Sequence, residues 1–222
     1  MVDVRSAPVV AILTRAPSAG GKTRLFASLG RAHDPALLSA LLLDTVDGAA
    51  APGVRRVIAV TPPEACDEVR RLIPDVDVVP QPEGDLGDRM RHVMAALLDA
   101  GAPAVAVIGS DLPHLAPATV AEALTVAARE RATLVLGPAE DGGYYLIAAT
   151  RVPNVFSSID WGSARVLAQT EDAAARDGLT VHRLGPMSDV DSADDLRRAC
   201  GDGRARRTEA WVTAQARRGG LT

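Results

Sequence analysis

Residues 8–26 read PVVAILTRAPSAGGKTRLF, in which an apolar run passes directly into a loop rich in glycine and cations. The run from Val9 to Leu13 has the length and the apolar content of a buried strand. If this strand belongs to a parallel sheet, its carboxyl end lies at the edge where open α/β sheets bind their ligands. The loop after Leu13 is therefore at a position where we expect a binding site.

Short apolar runs alternate with longer helical patterns through the first 136 residues, which is typical of an α/β protein with a parallel sheet covered by helices. The predicted strands are Val9–Leu13, Val54–Val60, Val76–Val79, Val105–Ile108 and Thr133–Leu136. The predicted helices between them are Asp34–Gly48, Glu64–Leu72, Leu86–Asp99 and Ala118–Arg131. With only 3% aromatic residues, the core must be built from Ala, Val, Leu and Ile.

The alternation changes after Gly137, where DGGYYLIAAT predicts a strand with little room for a preceding helix. We expect this strand to be antiparallel or to lie at an edge of the sheet. A helix over Ser163–Arg176, a strand over Thr180–Leu184 and a short helix over Ser192–Ala199 follow. Residues 1–200 are expected to form one domain, and the Arg-rich tail 201–222 is expected either to form a helix around Trp211 or to fray.

Composition and charge exclude several classes of partner. The net charge of −4 leaves no broad cationic surface, so we expect no nucleic-acid partner. Cys66 and Cys200 lack the spacing of a metal site and are expected to be reduced thiols. No apolar run approaches the roughly 18 residues of a membrane span, and no signal segment is recognisable, so we expect a cytoplasmic protein that does not bind membranes.

The loop after the first strand has the residues of a phosphate site. Gly20 and Gly21 permit close approach of the backbone, and Lys22, Thr23 and Arg24 add side-chain donors. The spacing is not that of a Walker A loop, which would need a glycine at Ala16, nor that of a dinucleotide fingerprint. A solvated glycine-rich turn is the alternative interpretation.

Three aspartates in two distant segments suggest a metal site. Asp111 lies in GSDLPHL, directly after a strongly apolar strand, and Asp189 and Asp191 lie in SDVDSADDL. In extended backbone, residues two apart point to the same side, so Asp189 and Asp191 are able to face one cation. An Asx turn at Asp111 is the alternative. Magnesium is the expected ion because oxygen ligands dominate and the first loop implies phosphates.

Three further loops are candidates for substrate contacts. Asp141, Gly142 and Gly143 precede a tyrosine pair and suit a second substrate, although a plain hairpin turn is an alternative. The helix start at Gly84–Met90 suits a nucleobase or ribose. The helix start at Asp160–Val166 suits an anionic group on an acceptor, and ordinary capping is the alternative for both.

Taken in order, six motifs resemble the GT-A fold of nucleotide-diphospho-sugar transferases, from about Val9 to Cys200. They are Lys22–Leu25, Gly84–Met90, Gly109–Pro113, Asp141–Leu146, Trp161–Ser163 and Asp189–Leu196. That fold is a Rossmann-like three-layer sandwich with a mainly parallel mixed sheet. More narrowly, the chain is similar to a bacterial family labelled glycosyltransferase-A-like. It is also similar to the 2-phospho-L-lactate and phosphoenolpyruvate guanylyltransferases, which share a K-[ST]-R-L loop, a D-G-G strand and a D-V-D ending.

The resemblance implies a role for each motif. Lys22 and Arg24 would hold a triphosphate and, with Asp111, form the catalytic set, while Asp111, Asp189 and Asp191 would hold Mg²⁺ or Mn²⁺. The residues expected around the nucleotide are Arg15, Gly20, Gly21, Lys22, Thr23, Arg24, Gly84, Asp85, Leu86, Gly87 and Ser110. Those expected around the acceptor are Asp141, Gly142, Gly143, Tyr144, Trp161, Gly162 and Ser163.

The sequence also departs from these families. Lys often stands where this chain has Thr14 or Arg15, and Gly162 replaces the usual Ser or Thr after Trp161. The Tyr144–Tyr145 pair replaces the Thr-Asn of the guanylyltransferases, which argues against the same small acid as substrate.

Three functions are compatible with these motifs. The favoured one is nucleotidyl transfer from a nucleoside triphosphate to a small phosphorylated acceptor, because the first loop is cationic and the chain is short. The second is glycosyl transfer from a nucleotide-sugar, with a base such as Asp141 or Glu140. The third is an inactive nucleotide-binding scaffold, which predicts loss of acidic positions that are in fact present. A homodimer formed through the tail around Trp211 is a further expectation.

Overall fold

The computed structural model describes residues 6–130 and 132–217. Within these ranges the strands are β1 (Val9–Arg15), β2 (Arg55–Thr61), β3 (Asp77–Pro80), β4 (Val105–Ile108), β5 (Thr133–Pro138), β6 (Tyr144–Ala149) and β7 (Thr180–Arg183). The α-helices are α1 (Thr23–Ser28), α2 (Pro35–Gly48), α3 (Cys66–Leu72), α4 (Leu86–Asp99), α5 (Pro117–Arg129), α6 (Val166–Arg176), α7 (Ala193–Ala199) and α8 (Arg206–Arg217).

The described strands form one sheet in the order β3-β2-β1-β4-β6-β5-β7. Strand β1 pairs in parallel with both neighbours, so that Ile12 lies beside Ile58 on one side and Ile108 on the other. Strand β6 is the antiparallel member, as predicted. It does not lie at an edge, because it pairs with β4 on one side and with β5 on the other, and its residues from Tyr145 to Ala149 are all buried.

Helices cover both faces of the sheet, which confirms the three-layer α/β architecture. One face of the central strands, with Val10, Ile12 and Ile58, packs against α2, α3 and α5. The other face, with Ala11 and Val57, packs against α4 and α6. Successive strand residues therefore enter opposite cores, as the two-residue period of a strand requires.

The helix boundaries differ from the sequence predictions by more than one residue at three places. Helix α6 begins at Val166 instead of Ser163, because the amide N–H groups of Ser163 and Val166 bond back to Asp160 and Ser163 in turns. A short 3₁₀ turn over Pro63–Ala65 precedes α3. Helix α5 ends at Arg129, and the predicted end at Arg131 lies outside the described residues.

A third apolar cluster lies beyond the carboxyl edge of the sheet. It joins Leu25 and Phe26 of α1, Leu37 of α2, Val190, and Trp211 of α8. This cluster brings the loop after β1 next to the loop before α7, although 163 residues separate Phe26 from Val190 in the sequence.

The predicted tail helix is present as α8 and packs along α2. Asp44 of α2 is 2% exposed, and its carboxylate accepts from the amide and the hydroxyl of Thr208 at 2.9 and 2.8 Å. The indole of Trp211 donates to Asp34 at 3.1 Å. Helix α8 is therefore attached by buried, charge-assisted hydrogen bonds. No α-helix among residues 6–130 and 132–217 combines the length and apolarity that a bilayer crossing requires.

We expect Asp44→Ala to lower the free energy of unfolding by about 3 kcal/mol, because two buried donors of Thr208 lose their charged acceptor. Urea denaturation measures this change. Asp47→Ala is the matched control: Asp47 pairs with Arg207 at 2.6 Å but is 61% exposed, so its loss should cost less than about 1 kcal/mol. Equal costs for the two variants would show that α8 is not attached through Asp44.

Candidate active site

The loop after β1 has an unusual backbone. Gly20, Gly21 and Lys22 have φ values of 83°, 114° and 49°, which places three consecutive residues in conformations that favour glycine. Within the described part of the chain, no acceptor takes the amide N–H groups of these three residues. Consecutive unpaired N–H groups in such a loop form a concave anion-binding surface.

The three aspartates predicted to bind a metal come together at this loop. One carboxylate oxygen from each of Asp111, Asp189 and Asp191 lies within 4.8 Å of the others. The amide of Val190 donates to the carbonyl of Asp111 at 3.0 Å, and the Val190 side chain is fully buried. Because Val190 enters the third apolar cluster, Asp189 and Asp191 on either side of it face Asp111, as the two-residue spacing predicted.

Lys22 lies at the centre of the aspartate cluster. Its ammonium forms ion pairs with Asp111, with Asp191 at 2.5 Å and with Asp189 at 3.7 Å. The left-handed backbone at Lys22 places its side chain among these carboxylates. Arg24 lies 3.7 Å from Asp191 and is 83% exposed, so its guanidinium is free to contact a ligand.

The cluster perturbs the ionisation of its members. Burial alone would lower the pKa of Lys22, but Asp111 and Asp191 raise it well above its ordinary value. Burial and the neighbouring Asp111 raise the pKa of Asp189 to about 6, against the attraction of Lys22. Burial is the larger cause of the raised pKa of Asp189, and repulsion from Asp111 adds to it.

The donor set fits a hard divalent cation. The cluster offers carboxylate oxygens from three residues, which are the ligands that Mg²⁺ and Mn²⁺ prefer. In the structure the Lys22 ammonium supplies the positive charge among them. A divalent cation bound by these oxygens would have to displace that ammonium or lie beside it.

Two cavities meet at Asp111. The smaller one has a volume of about 240 Å³ and is bounded by Arg15, Gly20, Gly21 and Lys22 together with Ser110. The larger one, of about 330 Å³, lies over β4 and β6. Both cavities include Leu13, Gly109 and Asp111 in their walls. Two substrates, one in each cavity, would therefore come together at the aspartate cluster.

Most residues expected around the acceptor line the larger cavity. They are Asp141, Gly143, Tyr144, Trp161, Gly162 and Ser163. Gly142 is not among the lining residues. A Cβ on it would meet the Ala164 carbonyl at 2.2 Å. Gly142 therefore permits the close approach of the Ala164 backbone, which a side chain would block.

The expected nucleotide residues fall into two groups. Arg15, Gly20, Gly21, Lys22 and Ser110 line the smaller cavity, and Thr23 and Arg24 follow directly in α1. The segment Gly84–Gly87 does not join them.

That segment lies instead at the larger cavity. Leu86 lines it, and a Cβ on Gly87 would meet the Trp161 indole at 2.6 Å. Asp85 caps α4 by accepting from the amide of Asp88 at 2.8 Å. Gly84 has φ 114° and packs on Asp88.

Sequence reasoning missed the apolar part of the larger cavity. Its walls include Leu13, Met90, Val107, Ile108 and Val166. These residues have the spacing of ordinary core positions in strands and helices, so nothing in the sequence marks them as cavity residues. In the tyrosine pair, the ring of Tyr145 fills the space left by Gly137, and its hydroxyl donates to the Gly185 carbonyl at 3.0 Å.

The fold, the glycine-rich cationic loop after β1 and the cluster of three aspartates are together those of a nucleotide-dependent transferase. The chain belongs to the family described as "Uncharacterized protein conserved in bacteria (DUF2064)", which matches residues 45–163.

Two enzymes named phosphoenolpyruvate guanylyltransferase are similar in sequence. The one from Mycolicibacterium smegmatis is 34% identical, over 80% of this chain and 78% of that protein. The one from Geodermatophilus obscurus is also 34% identical, over 98% of this chain and 99% of that protein. These relatives are nucleotidyltransferases by name, which agrees with the class predicted from the motifs.

Solved structures with a related fold are consistent with this class. A putative nucleotide-diphospho-sugar transferase from Desulfovibrio desulfuricans G20 superposes with a TM-score of 0.84 at 29% identity, over 94% of this chain and 95% of that one. CMP:2-keto-3-deoxy-manno-octonic acid synthetase complexed with CTP superposes with a TM-score of 0.58 at 15% identity, over 92% of this chain and 100% of that one. The second likeness concerns the fold alone.

We expect Lys22→Met to raise the affinity for Mn²⁺ in the absence of nucleotide by about tenfold, because the ammonium that competes for the three carboxylates is removed. Isothermal titration calorimetry measures the affinity. Lys22→Arg keeps the positive charge and serves as the control. Unchanged or weaker Mn²⁺ binding by Lys22→Met would show that the ion does not bind among these carboxylates.

Proposed function

We propose that the protein is a magnesium-dependent nucleotidyltransferase that joins a nucleoside triphosphate to a small phosphorylated acceptor and releases pyrophosphate. The observation that carries this proposal is the meeting of two cavities at Asp111, one lined by a cationic glycine loop and the other by Asp141, Tyr144 and Trp161. The guanylyltransferase name of the relatives makes GTP the first nucleotide to test.

The glycine loop would hold the triphosphate. The unpaired amides of Gly20, Gly21 and Lys22 point to an anion-binding role, and the exposed Arg24 guanidinium adds charge. Lys22 would move from the carboxylates to a phosphate oxygen when a divalent cation takes its place. The loop thereby positions the α-phosphorus near Asp111, where the two cavities join.

The reaction consists of one displacement. An oxygen of the acceptor phosphate forms a bond to the α-phosphorus, the bond from that phosphorus to the bridging oxygen of the β-phosphate breaks, and pyrophosphate leaves with the electron pair. Mg²⁺ or Mn²⁺ held by Asp111, Asp189 and Asp191 would supply neutralisation of the phosphate charges. No general base is required, because the attacking phosphate oxygen is already an anion; positioning and charge neutralisation suffice.

Glycosyl transfer is the second candidate, and one observation favours it. The Asp141 carboxylate lines the larger cavity, where a base for an acceptor hydroxyl would stand. Glu140 is a weaker candidate, because it is 59% exposed and lies 3.8 Å from Arg198. Nucleotidyl transfer needs no such base and accounts for the phosphate-type loop, so we favour it.

The direct test incubates the protein with Mg²⁺, each nucleoside triphosphate and a panel of phosphorylated sugars, polyols and acids, and measures pyrophosphate release. We expect release that depends on both the acceptor and Mg²⁺, and loss of release in Asp111→Asn. Release of nucleoside diphosphate from a nucleotide-sugar, with no pyrophosphate formed from any triphosphate, would support glycosyl transfer and refute the proposal.

Arg24→Met should weaken binding of the triphosphate by about tenfold or more while leaving nucleoside binding unchanged, because it removes a charge-assisted contact to phosphate. Calorimetry with GTP and guanosine measures both affinities. Arg176→Met, at the exposed end of α6 about 15 Å along the helix from Val166, is the control and should bind both ligands as the parent does. Equal losses for GTP and guanosine in Arg24→Met would contradict the assignment.

A further inference from the structure

The larger cavity is lined by apolar side chains and by carboxylates. Its charged lining residues are Asp111, Asp141 and Asp189, and no Lys, Arg or His of the described residues lines it. A divalent cation at the aspartate cluster would neutralise Asp111 and Asp189, but Asp141 lies outside that cluster. An acceptor bound here therefore meets uncompensated negative charge away from the reacting phosphate.

Three of the amides expected near an acceptor anion, those of Gly142, Gly143 and Ser163, already have partners. The N–H of Gly142 donates to Ala139 at 3.2 Å, that of Gly143 to the Asp141 carboxylate at 2.9 Å, and that of Ser163 to Asp160 at 3.1 Å. Leu167, in the first turn of α6, donates to the Gly142 carbonyl at 2.9 Å. These three amides are therefore not free to bind a second anion.

Two basic side chains close to the cavity loops are paired with carboxylates. Arg165, two residues after the cavity residue Ser163, forms an ion pair with Asp160 and is 71% exposed. Arg198 pairs with Asp195 and lies 3.8 Å from Glu140. Neither guanidinium lines the cavity, so neither provides a countercharge inside it.

The remaining walls are suited to an uncharged surface. The rings of Tyr144 and Trp161 meet edge to face with centroids 6.3 Å apart, and Leu86 and Met90 lie on the same cavity. Burial raises the pKa of the Tyr144 hydroxyl well above its ordinary value, so Tyr144 presents a neutral ring. Aromatic and aliphatic walls of this kind bind apolar surface or the C–H face of a polyol.

We propose that the acceptor is a phosphomonoester whose body carries no second anionic group, such as a sugar or polyol phosphate, and that phosphorylated carboxylic acids are disfavoured. This inference rests on the proposed nucleotidyl transfer and specifies its substrate class. It separates this chain from relatives named for phosphoenolpyruvate, whose acceptor carries a carboxylate beside the phosphate. The phosphate is the one anion that the site accommodates, at the aspartate cluster beside Lys22.

The test compares two acceptors of nearly equal size, glycerol 3-phosphate and 3-phosphoglycerate, in which a hydroxymethyl group replaces a carboxylate. With Mg²⁺ and the triphosphate that supports turnover, kcat/KM for glycerol 3-phosphate should exceed that for 3-phosphoglycerate by about tenfold or more, because like charges brought together are costly. Phosphoenolpyruvate should behave as 3-phosphoglycerate does. A preference for either acid, with pyrophosphate released, overturns the inference and leaves nucleotidyl transfer standing.

Binding provides a readout that does not depend on turnover. Calorimetry with Mg²⁺ and no nucleotide should show tighter binding of glycerol 3-phosphate than of 3-phosphoglycerate. If glycerol 3-phosphate binds more tightly but no acceptor releases pyrophosphate, the cavity does select against a second anionic group, and the proposed reaction is refuted. Equal or reversed affinities overturn the inference.

A pair of variants isolates the charge. Leu86 is 50% exposed and lines the cavity, so a longer side chain is accommodated there without disturbing the core. Leu86→Arg supplies a countercharge and should lower the ratio of kcat/KM for glycerol 3-phosphate to that for 3-phosphoglycerate by about tenfold. Leu86→Gln adds a polar but uncharged side chain and should leave this ratio unchanged. An unchanged preference in Leu86→Arg would contradict the inference.

Discussion

The ion cluster of Lys22 with Asp111, Asp189 and Asp191 is the interaction on which the arrangement of the site depends. It joins three chain segments that are far apart in the sequence: the loop after β1, the loop after β4 and the loop before α7. The carboxylates repel one another, and only a cation at their centre makes their close approach favourable. In the structure that cation is the Lys22 ammonium.

The fold supplies the backbone for this cluster. Parallel pairing of β1 with β4 ends both strands at the same edge of the sheet, so that Lys22 and Asp111 follow neighbouring strands. The hydrogen bond from the Val190 amide to the Asp111 carbonyl fixes the second acidic loop, and burial of Val190 beside Leu25 orients the two aspartates. Helix α8 completes the apolar cluster through Trp211. The contacts that stabilise this edge of the sheet thus also position the candidate site.

The sequence predicted the strand and helix pattern well, because each strand is a short apolar run and each helix has its own stripe. It also predicted the convergence of Asp111 with Asp189 and Asp191, since strand ends and two-residue spacing are local properties. It did not predict that Gly84–Gly87 would lie at the larger cavity, which depends on the contact of Gly87 with Trp161 across 74 residues. Nor did it predict that β6 would be internal, or that Gly142 would serve a contact with Ala164. Both outcomes depend on tertiary packing.

The central claim is that one cation site, shared by the two cavities, is formed by Asp111, Asp189 and Asp191. Anomalous diffraction at a manganese-sensitive wavelength, from crystals grown with Mn²⁺ and a non-hydrolysable GTP analogue, tests it directly. We expect an anomalous peak within bonding distance of these three carboxylates, the triphosphate along Gly20–Arg24, and the Lys22 ammonium on a phosphate oxygen. A peak elsewhere, or a triphosphate seated away from that loop while Lys22 stays on the aspartates, would contradict the account.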